Sequence, residues 1–260
     1  MFNIPLAKRS SRFLGFTPEG ERVLVWARRM VGDAQAMRQE ILGLQSGVGS
    51  HIRIAAVPSA MPMVASLTTP FQLRNPSVRF TLLTRTSDEL LNMLHQRDID
   101  VGVTYIDNEP LSEVVKVPLY REQYLLLTTR SGPFGHADRV TWSQLATLPL
   151  CLFTRELQHR RIVDNVFNAA GIEVTPAVET DSLVALTSHV LTGAWVSIVP
   201  LSILSSLDMS RPLLAIPVVE PEISHMIGLV VSERYPIQPT IRDLMQDAQL
   251  RPTAATPLLS

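Results

Sequence analysis

The sequence predicts an α/β protein of two lobes preceded by one long helix. Three observations predict it: a heptad-spaced apolar stripe over residues 18–46, alternating strand and helix patterns from residue 50, and a second round of that alternation after residue 128. The 260 residues suffice for one large or two medium cores. Hydrophobic residues at 46% against 18% charged describe a packed chain rather than a disordered one.

The long helix comes first. Thr17 suits an N-cap, Pro18 the first helical position, and Glu19 and Glu21 complement the helix dipole. Val23, Ala27, Met30, Ala34, Met37, Ile41 and Leu44 then alternate four- and three-residue spacings, the seam that a coiled-coil partner covers. Such a stripe can also bury itself against its own domain. Its narrowness, between Arg28, Arg29, Asp33, Arg38 and Glu40, favours a partner helix, and Gly47 and Gly49 are the expected stop.

From residue 50 the period changes. Ile52–Val57, Val78–Thr84 and Asp100–Ile106 read as continuous apolar strands. A helix running toward Leu73, with a kink or early end expected at Pro70, and a helix opened by the capping box Thr86-Ser87-Asp88-Glu89 separate them. This βαβαβ order predicts a parallel sheet covered on both faces. Val114–Leu119 and Tyr124–Thr128 read as two further strands. The second round has strands at Leu150–Phe153, Ala177–Thr180 and Val196–Val199, a helix capped by Thr141, and helices ending at Gly171 and Gly193. The chain returns through Leu213–Val218 and Ile227–Ser232 to a last helix near Thr240–Gln249. Crossings are expected near Thr128 and over Pro217–Glu222.

Composition also bounds location and partners. The N-terminus places its basic residues after a short apolar stretch, the reverse of a secretory signal. No apolar run approaches the roughly 18 residues a bilayer span needs, and the single Cys151 fits a reducing compartment. A cytoplasmic protein with no membrane contact is expected. Net charge is −1, but residues 1–30 carry six bases against two acids, and the remainder 17 against 22. A basic end on an acidic body suggests a polyanion partner for that end, although a solvated basic face has the same composition.

Several segments resemble the LysR-type transcriptional regulators. Pro5-Leu6-Ala7-Lys8-Arg9 and Phe16-Thr17-Pro18-Glu19-Gly20 resemble the end of that family's winged helix-turn-helix, which leads into a dimerising linker helix. The strand Ile52–Val57 with Pro58-Ser59, then Phe71-Gln72-Leu73-Arg74-Asn75-Pro76, Thr86 to Leu91, and Asp98 to Val103 continue the match. Thr192-Gly193-Ala194-Trp195-Val196-Ser197-Ile198-Val199-Pro200 resembles the family's second-lobe segment. Ala7 departs from the aromatic residue that many members carry there.

The resemblance implies two Rossmann-like lobes of the periplasmic-binding-protein-like type. It divides the chain into a wing remnant over 1–17, a linker helix and hinge over 18–49, and an effector-binding domain over 50–250. Lobe I would hold about 50–127 and 223–250, and lobe II about 128–222. The resemblance also implies a small-molecule effector in the cleft, a homodimer or homotetramer, and DNA as partner if a recognition helix precedes Met1, where the family's would lie. Lys8, Arg9 and Arg12 could touch phosphate, which positions a protein without reading sequence.

A search for catalytic arrangements finds none. His51, His95, His136, His159, His189 and His225 are scattered, with no HExxH, CxxC, G-x-S-x-G or Walker pattern. Neither a metal nor a cofactor is expected, and Cys151 reads as a buried inert thiol. Polar residues at strand ends are the candidate site, because ligands of parallel sheets bind outside the carboxyl ends of strands. They are Ser59, Thr86, Ser87 and Thr104 in the first lobe, and Thr154, Arg155, Asp181 and Ser182 in the second. Ser59, Thr86 and Ser182 could equally be helix caps worth about 1 kcal/mol each. Helix N-termini and Arg155 favour a small anionic metabolite. The expected function is allosteric control of transcription by that effector, without catalysis. The alternatives are a transporter's solute-binding protein, a bilobal enzyme, and a truncated regulator acting without direct sequence-specific DNA binding.

Overall fold

The computed structural model describes residues 4–9, 13–46, 50–108, 111–207 and 212–250. Ala7–Arg9 (β1) and Phe13–Phe16 (β2) pair antiparallel. Thr17 then caps helix α1, Pro18–Ser46, as its sequence predicts. Its Oγ accepts from the Gly20 amide at 2.9 Å and donates to the Pro5 carbonyl at 2.7 Å, fixing the hairpin to the helix start. Val23, Met30, Ala34, Met37 and Ile41 are exposed on α1, and Ala27 is half-buried. Val25, Trp26 and Val31 are exposed as well, so the apolar surface is wider than the predicted seam. The Leu44 and Arg9 side chains, all of Arg12, and the expected stops Gly47 and Gly49 lie outside the described residues.

The first lobe opens with His51–Ala56 (β3), a 3-10 turn at Pro58–Ala60 and Met61–Arg74 (α2). Pro70 neither ends nor splits α2. Burial of Met63, Val64, Leu67 and Phe71 on one face holds the helix through the missing amide. Arg79–Thr84 (β4), Ser87–Gln96 (α3) and Val101–Tyr105 (β5) follow. β4, β3 and β5 lie side by side and parallel, the arrangement that the apolar runs predict.

The two strands expected at Val114–Leu119 and Tyr124–Thr128 are one, Val114–Thr129 (β6). The polar run Arg121-Glu122-Gln123 that separates them in the sequence is itself extended and paired with a later strand. The second lobe adds Val140–Thr141 (β7), Trp142–Leu145 (α4), Cys151–Phe153 (β8), Gln158–Ala169 (α5), Val178–Thr180 (β9) and Leu183–Leu191 (α6). Gly171 and Gly193 adopt φ of +70° and +77° just past α5 and α6, the left-handed position that favours glycine. Ser197–Pro200 (β10), a 3-10 helix at Leu201–Ser206, Leu213–Val219 (β11), Ser224–Ser232 (β12) and Pro239–Leu250 (α7) complete the chain.

The sheet order is β4-β3-β5-β12-β6-β11-β7, with β10 also on β6. β6 therefore belongs to both lobes. Val114–Gln123 pairs with β12, and Tyr124–Thr129 pairs with β10 and β11. The return crossing runs between β11 and β12 through a cis Glu220–Pro221 bond, and the buried Trp142 donates its indole N–H to the Pro221 carbonyl at 3.0 Å. One apolar cluster continues across the junction, from Ile52 and Val103 through Leu126 to Trp142 and Ile198. A second, around Leu127, Phe153, Leu186 and Ile203, fills the second lobe.

Candidate functional site

The cleft is built where strand ends of the two lobes face each other. Val57, Pro58, Ser59 and Thr86 line it from the first lobe, and Phe153, Leu157, Gln158 and His159 from the second. The first group follows β3 and β4, the second follows β8, so both are carboxyl-end positions of strands. In this conformation the cavity volume is about 10 Å³, close to one water. No lining residue carries a permanent charge. The lining instead includes the start of α5, whose N-cap Leu157 makes no side-chain cap, and Pro58 and Ser59 of the turn that precedes α2. The α5 start brings partial positive charge to the cleft.

His159 is the lining residue that histidine counting passed over. It is 3% exposed, and neither ring nitrogen has a hydrogen-bond partner. Phe153 and Tyr124 pack against it, with ring centroids at 5.4 and 5.5 Å. Burial, then the adjacent Arg160 charge and His225, push its pKa down to about 3, so the ring is neutral. A neutral imidazole offers one donor and one acceptor. Its neighbour Arg160, also buried, turns to Asp164 at 2.7 Å, to the Phe153 carbonyl at 2.8 Å and to Glu179.

Under the floor lies a polar cluster. Ser59 Oγ is 3.3 Å from the Tyr105 hydroxyl, and the Tyr124 hydroxyl is 3.0 Å from His225 Nδ1. Glu122, fully buried at the point where β6 changes partners, lies against Ser202 of the 3-10 helix: Ser202 N–H donates to Oε1 at 3.0 Å, and Ser202 Oγ is 2.5 Å from Oε2. The same Oγ is 2.9 Å from the Ser59 carbonyl. Burial raises the Glu122 pKa to about 7, against the opposing pull of the Ser202 contacts. Burial likewise raises the Tyr105, Tyr120 and Tyr124 pKa values.

The eight residues predicted from sequence separate into groups. Ser59 and Thr86 line the cleft. Ser59 is not a helix cap, so its hydroxyl is placed by tertiary structure alone. Thr86 lines the cleft and also closes the predicted capping box with Glu89. Ser87 and Thr104 are buried and bonded to each other at 3.1 Å. Thr154, Arg155, Asp181 and Ser182 are outside the lining. Arg155 is exposed and 3.8 Å from Asp164, Asp181 is exposed, and Ser182 caps α6 by accepting from the Ala185 amide at 3.3 Å. Cys151 is buried, and burial raises its thiol pKa.

Residues 45–249 match the LysR substrate binding domain. A probable nitrogen assimilation transcriptional activator of Synechococcus elongatus is 28% identical over 94% of this chain and 79% of its own length. The HTH-type transcriptional regulator cbl of Escherichia coli is 23% identical over 74% of this chain, which spans 61% of that protein. Among solved structures, full-length OxyR from Pseudomonas aeruginosa superposes with a TM-score of 0.74 at 18% identity, over 94% of this chain and 80% of its own. Full-length CbnR complexed with its target DNA gives 0.71 at 20%, over 95% and 84%. The BenM effector binding domain with benzoate gives 0.67 at 20%, over 78% and 92%. The two-lobed frame with its curled sheet is thus the fold of these regulators, and the match over most of the chain makes it a member of the LysR family of transcriptional regulators.

Proposed function

We propose that residues 50–250 sense a small anionic effector in the cleft between the lobes, and that α1 carries the response as a dimerising helix. The observation that carries this is His159, buried on the cleft with both ring nitrogens unpartnered, beside the uncapped start of α5 that lines the same space. An unsatisfied buried imidazole costs free energy that a ligand hydrogen bond recovers. Ser59, Thr86 and Gln158 supply further polar contacts, and Val57, Pro58, Phe153 and Leu157 take the apolar body of the ligand. Arg155 has no part in this reading, because its side chain is exposed and pairs with Asp164. Recognition of charge falls to the start of α5.

A cavity the size of one water must widen to admit a metabolite, so binding changes the separation of the lobes. The BenM domain holds benzoate and CbnR is seen on DNA. By that likeness the role is allosteric rather than catalytic, with effector and DNA at separate sites.

A thermal-shift screen of small carboxylates, benzoate included, against their uncharged amides tests the reading. A carboxylate at 100 times its Kd adds about 2.7 kcal/mol, and His159→Phe abolishes that gain. Stabilisation by amides alone, or equal stabilisation of wild type and variant, sinks it.

A further inference from the structure

The cluster under the cleft has a proton count that does not close with an ionised Glu122. Ser202 Oγ carries one proton, yet it lies within hydrogen-bond distance of two oxygens, Glu122 Oε2 at 2.5 Å and the Ser59 carbonyl at 2.9 Å. A carbonyl can only accept. The hydroxyl proton therefore goes to Ser59, and the short contact to Glu122 needs a second proton. We propose that Glu122 is a protonated carboxylic acid that clasps the two lobes: its Oε2–H donates to Ser202 Oγ, Ser202 Oγ–H donates to the Ser59 carbonyl, and the Ser202 amide donates to Glu122 Oε1.

Each donor in this ring then meets one acceptor. The ring joins β6, the 3-10 helix after β10 and the first-lobe turn at Ser59. The surroundings agree with a neutral acid. Glu122 is fully buried, and among the described residues no lysine or arginine forms an ion pair with it. Facing it are Tyr105 from β5, Tyr120 and Tyr124 from β6 itself, Ser202, and His225, its register partner on β12. The tyrosines are neutral, and burial lowers the His225 pKa. A carboxylate with no cation beside it is costly in such a place, and burial outweighs the opposing contacts from Ser202 and Tyr120.

Glu122 reaches the cleft residue Ser59 through Ser202. It acts as a positioning residue for Ser59, and as a statement about the ligand site the clasp rests on the reading above. The ring itself does not. With the proton gone, Ser202 can donate to Glu122 or to Ser59 but not to both, and the closed arrangement loosens.

Infrared difference spectra of the full chain without ligand, recorded from pH 5 to pH 9, read the proton directly. The expected result is a protonated-carboxyl carbonyl band present at pH 6, lost with a midpoint near 7, and absent in Glu122→Gln. Glutamine places N–H and C=O where the acid places O–H and C=O. The variant is therefore expected to match the wild-type Tm at pH 6 and to keep it at pH 8.5, where the wild type falls. Ser202→Ala retains the acid but removes its acceptor, so its band moves to the position of a free acid. A wild type with no such band at pH 6 overturns the proposal. So does a glutamine variant that melts below wild type at both pH values. If ligand screening fails while the band appears, the clasp stands and the effector reading falls.

Discussion

His159 and Glu122 are buried titratable groups whose protonation pulls stability in opposite directions. The His159 pKa falls from 6.5 to about 3 on folding, so its contribution is fully present above 6.5 and is lost as pH falls toward 3. The Glu122 pKa rises from 4.5 to about 7, so its contribution is fully present below 4.5 and is lost as pH rises through 7. Urea midpoints measured against pH separate them: His159→Phe flattens the acid limb alone, and Glu122→Gln the limb around neutrality alone. Arg160 is held by two carboxylates and a carbonyl, and Arg160→Ala leaves those carboxylates without their buried cation. Because both carboxylates are partly exposed, the expected loss is about 1–3 kcal/mol in urea unfolding. None of these three residues announces itself in the sequence. Glu122 sits in Arg121-Glu122-Gln123, a run that reads as solvated, and it is buried by Ser202, 80 positions later. His159 follows Gln158 at a helix start, where a histidine looks like a surface residue. Ser59 and Thr86 were legible because strand-end position is a local property.

Elements follow local chemistry where local chemistry suffices. The Thr86/Glu89 capping box forms as its sequence predicts, and Thr141, expected as a cap, closes a second box with Gln144. Thr86→Ala is expected to cost about 1 kcal/mol of stability, and to weaken any effector-induced Tm rise as well, since Thr86 also lines the cleft. β6 was not legible as one strand, because its ladder is set by partners 70 to 118 residues away. Gly228 on β12 shows how close that ladder runs: an added Cβ would come within 2.9 Å of the Val117 carbonyl and 2.7 Å of Ile106 Cδ1. Gly228→Ala is expected to cost about 1–3 kcal/mol in chemical denaturation. On α1 the exposed Met30 and Met37 belong to a face that a second helix can cover. A Met30→Asp/Met37→Asp double variant is expected to lower the mass measured by light scattering, and an unchanged mass removes α1 from the oligomer interface.

At the scale of the whole molecule, the two-lobed class was readable from two rounds of alternation, whereas the bond between the lobes was not. They share β6 and one apolar cluster, and Asp33 and Arg97 tie α1 to the first lobe where Arg97 also lies 3.5 Å over the Tyr235 ring. The shared strand also orders events in time. Every strand of the second lobe lies between residues 114 and 219, while the first lobe lacks the strand between β5 and β6 until residues 224–232 arrive. A ribosome delivers the chain from its N-terminus, so the second lobe has all its strands while the first still has a gap at its centre. The lobe that begins earlier finishes later, and until it does, β5 and the front half of β6 are unpaired edges open to any passing strand. The centre of the sheet, not its ends, is therefore where a nascent copy of this regulator is most exposed to misassembly.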